Sequence, residues 1–117
     1  MNTNPIQLAM ATYYYTHAHP LNRYVRINDP AVNMDYLKEE LDEFQQAVKH
    51  ESKERQQAEL GDILFTAINA GTSLCLSPTK ALVDAVSRFR FRLWQVEQGS
   101  PSSKQEFRNL WEKTKSE

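Results

Sequence analysis

The chain has 117 residues, long enough for one domain with an ordinary core and too short for two. Hydrophobic residues make up 40% and charged residues 25%, the balance of a soluble globular protein. The formal net charge of −1 excludes a global positive field that would draw the chain to nucleic acid or to an anionic membrane.

The N-terminus, Met1-Asn2-Thr3-Asn4-Pro5, lacks the basic and apolar regions of a signal peptide, and no apolar run reaches the roughly 18 residues of a membrane span. The expected location is the cytoplasm. Three glycines in 117 residues are too few for a turn-rich β protein, and the stretches between breakers have helical periodicity. A first helix is expected from about Pro5, with Ile6, Met10, Tyr13 and Tyr14, to a stop at His19-Pro20. His17 and His19 are expected at its end, in no metal site. Residues 20–32 contain Pro20, Asn22, Asn28, Asp29 and Pro30 and look like a connecting loop.

The second helix is expected to start between Ala31 and Asp35, with Met34, Leu37, Leu41, Phe44 and Val48 as its apolar stripe. Ser52 caps a third helix whose apolar side is Leu60, Ile63, Leu64, Ala67, Ile68 and Leu74. Cys75 is the one cysteine, which excludes a disulfide framework and a cysteine-based zinc site, and its apolar neighbours suggest a small buried hydrophobe. Ser77-Pro78 starts a fourth helix, with a capping hydroxyl before proline at the first helical position. That helix runs through Leu82, Ala85, Val86, Phe89, Leu93 and Val96 to Gly99. Ser103-Lys104-Gln105-Glu106 fits a capping box for a last short helix with Phe107, Leu110 and Trp111. The sequence thus reads as a single all-α domain over 1–117, a small helical bundle of four main helices plus a short C-terminal one.

Two acidic patterns carry the chemistry. Glu39-Glu40-Leu41-Asp42-Glu43 and Glu59-Leu60-Gly61-Asp62 each set carboxylates three or four positions apart, on one side of a helix. Fifteen residues separate Glu43 from Glu59, an interval that suits a short turn between antiparallel helices. On the helical wheel both acidic groups fall beside their apolar stripes, with Asn69 continuing the second acidic face. Each pattern alone describes a solvated surface. Facing each other, four or five carboxylates need a counter-charge, and all-oxygen ligation suits Mg²⁺ or Mn²⁺ rather than zinc or copper. Mg²⁺ keeps several waters and favours sites completed by phosphates, so the expected ligand is a phosphorylated small molecule. A di-iron bundle needs Glu-x-x-His, and none of His17, His19 and His50 has a Glu three residues before it.

Glu39-Glu40-x-x-Glu43 followed by Glu59-x-x-Asp62 resembles the paired metal motif of the MazG-type all-α nucleoside triphosphate pyrophosphohydrolases. The resemblance extends through Ile63-Leu64-Phe65-Thr66-Ala67-Ile68-Asn69, Arg88-Phe89-x-x-Arg92 and Leu110-Trp111-Glu112-Lys113-Thr114-Lys115, over roughly residues 31–115. Departures occur at Tyr36, where many relatives carry lysine, at Val86, where asparagine is common, and over the first 30 residues. The resemblance implies Mg²⁺-dependent hydrolysis of a nucleoside triphosphate to monophosphate and pyrophosphate; deoxynucleotides, standard or modified, are the expected substrates, though no residue of the sequence selects them. It implies Glu40, Glu43, Glu59 and Asp62 as metal ligands and Glu39 as the residue that orients water. Arg88, Arg92 and Lys115 would meet phosphate, Trp111 the nucleobase, and Asn69 the sugar, the base or a metal-bound water, with helix packing as its alternative role.

It also implies at least a homodimer with a site built from both subunits, and a dimer of dimers is compatible with it. Phe91 and Trp94, off the main stripe of the fourth helix, agree with an interface. The competing reading keeps the fold without catalysis, as a helical oligomerisation or nucleotide-sensing module. The complete acid set argues for the enzyme.

Overall fold

The computed structural model describes residues 4–115; residues 1–3, at the start of the stretch on which the signal-peptide reading rests, lie outside them. Among the described residues the chain is all-α, with six helices and no strand: α1 (Pro5–Ala18), α2 (Asn22–Val25), α3 (Pro30–His50), α4 (Lys53–Ser73), α5 (Pro78–Gln98) and α6 (Lys104–Lys115). They fall into two compact units, Met1–Pro78 and Thr79–Glu117. No single helix among the described residues is long and apolar enough to cross a membrane.

In the first unit the helix boundaries follow side-chain chemistry. Asn4 caps α1 by accepting from the amides of Ile6 and Gln7, and the helix ends at His19, whose Nδ1 accepts from the Leu21 amide at 3.0 Å. The expected loop over 20–32 contains a helical turn instead. Asn22 builds it, accepting from the Ile27 amide at 2.8 Å and donating to Asn28 at 2.6 Å, while Arg26 turns the chain in the left-handed region. Helix α3 starts at Pro30 rather than after it, because Asp29 caps it through the Ala31 and Val32 amides. Asp29-Pro30 is the same cap-then-proline signal as Ser77-Pro78, overlooked inside a polar stretch.

Helices α3 and α4 form the principal pair, joined by Glu51 and Ser52. Ser52 accepts from the Arg55 amide, as the sequence suggests. Contacts across the pair set an antiparallel register: Asn33 Nδ2 donates to the Asn69 carbonyl, and Gln56 Nε2 donates to the Ala47 carbonyl. A heptad run of buried and half-buried positions lines the pair, Asn33, Leu37, Glu40, Phe44 and Ala47 on α3 with Gln56, Glu59, Ile63, Thr66 and Ala70 on α4; Ile68, Asn69 and Thr72 on α4 are buried or half-buried beside it. The expected stripes meet the seam only in part: Leu37, Phe44 and Ile63 lie in it and Ile68 is half-buried. Met34, Leu41 and Val48 are exposed, as are Leu60, Leu64 and Leu74. A hydrophobic wheel finds the most apolar side of a helix. Here much of that side is exposed, and a narrower heptad seam with polar members joins the pair.

Cys75 corrects a second expectation. It is exposed, with φ 60°, as the left-handed residue that ends α4. The Cys75 amide donates to Thr72 and the Leu76 amide to Gly71, the paired bonds of a Schellman cap. The position demands a backbone conformation, and the apolar neighbours had suggested burial instead.

In the second unit α5 ends as expected before Gly99, but Ser100, not Gly99, is the residue at positive φ. Gly99 is needed for space: a Cβ there would stand 2.7 Å from a methyl of Leu110. The capping box forms with a shift of one residue. Ser103 accepts from the Glu106 amide, and the Glu106 carboxylate accepts from the amide and hydroxyl of Ser102. Those bonds hold the Glu106 carboxyl below its ordinary value.

Replacing Cys75 with Gly should raise stability by about 1 kcal/mol, since the left-handed conformation costs a side-chain-bearing residue about that much. A denaturant titration that finds the variant no more stable than wild type would contradict the cap.

Candidate metal centre

The antiparallel register puts Glu43 opposite Glu59 and Glu40 near Asp62. Glu40, Glu43 and Glu59 each offer a carboxylate oxygen, and these three atoms lie within 4.8 Å of one another. Glu59 is 3% exposed and Glu40 half-buried, while Glu43 opens the cluster to solvent. Glu40 Oε2 and Glu59 Oε2 are buried and have no hydrogen-bond partner. Two orphaned acceptors in a dry seam are costly unless a proton or a cation meets them.

The electrostatics agree. Burial raises the Glu40 carboxyl first, and the charges of Glu43, Asp62 and Glu59 raise it further. Burial also raises Glu59, with Glu43 and Asp62 adding to it and Arg55 acting against them. Arg55 was not anticipated as a site residue. Its guanidinium meets Glu59 at 2.8 Å and Glu51 at 3.4 Å. The Arg55/Glu59 spacing of four is the helical ion-pair signal that could have found it.

The donor set is all carboxylate oxygen with unpartnered atoms, which fits a hard divalent cation. Asp62 is exposed and acts on the cluster through its charge on Glu40 and Glu59. Glu39, one residue before Glu40 on α3, is exposed. The wheel had put these acids beside the apolar stripes; the structure sets Glu40 and Glu59 in the helix seam itself.

Asn69 is elsewhere on α4, about 15 Å along the helix axis from Glu59 by residue rise. It is buried, its carbonyl accepts from Asn33, and its own Oδ1 has no partner. Asn33, another residue the sequence did not single out, donates also to the Ile27 carbonyl at 2.7 Å. In the second unit Trp111 lies between Phe89 and Phe107, with ring centroids 5.4 and 5.9 Å away. Lys115 pairs with Glu112. Arg88 and Arg92 have no carboxylate partner within that unit among the described residues.

Because Glu40 and Glu59 are raised above the ordinary value of 4.5, the folded metal-free chain keeps protons that the unfolded chain releases. This contribution to stability is full below that value and is lost as pH rises through the raised ones. Glu106, lowered, acts in the opposite sense and only as pH falls below 4.5. The metal-free protein should therefore melt higher near pH 5 than near pH 7, and Glu59→Gln should flatten that dependence and melt higher than wild type near pH 7. Equal melting of wild type and variant across this range would contradict the buried cluster.

Neither a curated protein nor a solved structure matches the chain. A family model does, over the segment from the α3 cap to the start of α5, which includes every carboxylate of the cluster; Arg88, Arg92, Trp111 and Lys115 lie beyond the match. Over residues 28–78, a little under half of the chain, the sequence matches the MazG nucleotide pyrophosphohydrolase domain, and the all-α architecture of the described residues agrees with that match.

Proposed function

We propose that the chain hydrolyses nucleoside triphosphates, deoxynucleotides among them, to monophosphate and pyrophosphate with Mg²⁺, cleaning the nucleotide pool in the cytoplasm. The observation that carries this reading is the meeting of Glu40, Glu43 and Glu59 within 4.8 Å, with two buried oxygens unpartnered, inside the matched segment. The whole of 1–117 is taken as one working domain.

In this reading Glu40, Glu43, Glu59 and Asp62 hold the metal. The chemistry supplied by bound Mg²⁺, or by Mn²⁺ in its place, is neutralisation of triphosphate charge and acidification of water. Glu39 orients the water that attacks the α-phosphorus and accepts its proton; pyrophosphate is the leaving group. Arg88, Arg92 and Lys115 offer cationic groups to phosphate oxygens, the two arginines in forked fashion. Trp111 offers a stacking face to the base, and Asn69 a hydrogen bond to sugar or base. Positioning and charge, rather than covalent chemistry, carry most of such a reaction.

The reading includes at least a homodimer. Exposed apolar residues support it: Met34, Leu41 and Val48 on α3, Leu60 and Leu64 on α4, and the stacked pair Phe91 and Trp94 on α5. Phe44, Leu60, Gly61 and Leu64 help line an open groove of about 510 Å³, and a Cβ at Gly61 would meet nothing within 4 Å. A glycine inside a helix costs about 1 kcal/mol against alanine, so open space in front of it favours close approach by another molecule.

A panel of standard and modified NTPs and dNTPs with Mg²⁺, with products resolved, tests the activity. Monophosphate and pyrophosphate are expected. Diphosphate and phosphate would mean attack at the γ-phosphorus and a different mechanism, and no turnover at all would leave the non-catalytic module. Glu43→Gln and Asp62→Asn should each reduce turnover at least about a hundredfold with helical content unchanged. Light scattering should give at least twice the mass of one chain; a monomer at micromolar concentration would remove the dimer.

A further inference from the structure

We propose that Arg55 is a stand-in cation for the carboxylate cluster: it holds Glu59 in the metal-free protein, yields it to a divalent ion, and then binds the triphosphate. The inference rests on the metal and nucleotide reading above and adds a residue to it. An ordinary helical ion pair has both ends in water. Here the arginine side chain is 59% exposed and the Glu59 side chain 3%, so the pair reaches from solvent into the seam.

One Glu59 oxygen is occupied by Arg55 Nη2 at 2.8 Å and the other is buried and unpartnered, while the Glu59 carboxylate gives one oxygen to the cluster shared with Glu40 and Glu43. A single guanidinium cannot neutralise three carboxylates, and it blocks one of the two oxygens that Glu59 could give a metal. The second bond of Arg55, to Glu51 at 3.4 Å, is longer and joins two exposed groups. Such pairs hold weakly in water. Displaced from Glu59, the guanidinium keeps its charge and its planar fork at the rim of the site, where it matches phosphate oxygens in shape and sign.

Arg55 thus opposes metal binding in the empty site and favours the triphosphate once metal is present. Two titrations separate these effects. The first measures Mn²⁺ affinity of the nucleotide-free protein from the electron paramagnetic resonance of free Mn²⁺. The second measures affinity for a non-hydrolysable nucleoside triphosphate analogue at saturating Mn²⁺. Arg55→Gln should bind Mn²⁺ about fivefold more tightly than wild type and the analogue about tenfold more weakly. Arg55→Lys, which keeps the charge, should stay within about twofold of wild type for Mn²⁺.

Circular dichroism checks that each variant keeps its helices, which an exposed Gln or Lys in α4 favours. Unchanged or weaker Mn²⁺ binding by Arg55→Gln, with wild type binding normally, would overturn the stand-in role and leave the metal site in place. Tighter Mn²⁺ binding without loss of analogue affinity would overturn the transfer to triphosphate. A wild-type chain that takes up no Mn²⁺ would instead overturn the metal reading itself, and this inference with it.

Discussion

Glu40 and Glu59 stand in the seam between α3 and α4, at positions where helix pairing alone would favour leucine or alanine. Holding a carboxylate away from water is costly unless a proton or an opposite charge meets it. Here two of them share a seam with Glu43, and each leaves one oxygen without a partner. Arg55 offsets part of the repulsion at Glu59 and nothing at Glu40. Packing explains none of this. The divalent cation proposed above would, and all-oxygen donors suit a hard one.

Local features of the first unit make the convergence possible. The caps at Asp29 and Ser52 fix where α3 and α4 begin, and a connection of two residues forces them antiparallel. With both starts fixed, the fifteen-residue interval becomes a register that sets Glu43 against Glu59. The Schellman cap at Cys75 then stops α4 before α5 starts at Pro78. At the far end of the pair, the buried bonds of Asn33 to Ile27 and Asn69 keep the same register. A slip of one residue would separate the carboxylates and break those bonds together.

The acid motifs and the helix boundaries were legible in the sequence because both depend on short-range spacing. Ser52, Pro78 and the Ser103 cap follow from local chemistry and occur where expected, while the Glu106 carboxylate reaches Ser102 rather than Ser103. The burial pattern was not legible. Leu41, Leu60 and Leu64 are the apolar residues a wheel chooses, yet they are exposed, while Glu59 is buried. Burial depends on which faces meet in three dimensions, and a wheel carries no information about that. Cys75 failed for a related reason: its neighbours' hydropathy said nothing about the φ that ends a helix. Arg55 was legible in principle from its spacing to Glu59, but an exposed ion pair and a site residue look the same in one dimension.

The central claim is that the seam carboxylates are kept for a divalent cation. Its most direct measurement is the number of Mn²⁺ ions bound per metal-free chain near neutral pH, compared with a Glu40→Gln/Glu59→Gln double variant of equal helical content. The account expects wild type to bind at least one ion per chain and the double variant to bind none at millimolar Mn²⁺. Equal uptake by both proteins, or none by wild type, would contradict it.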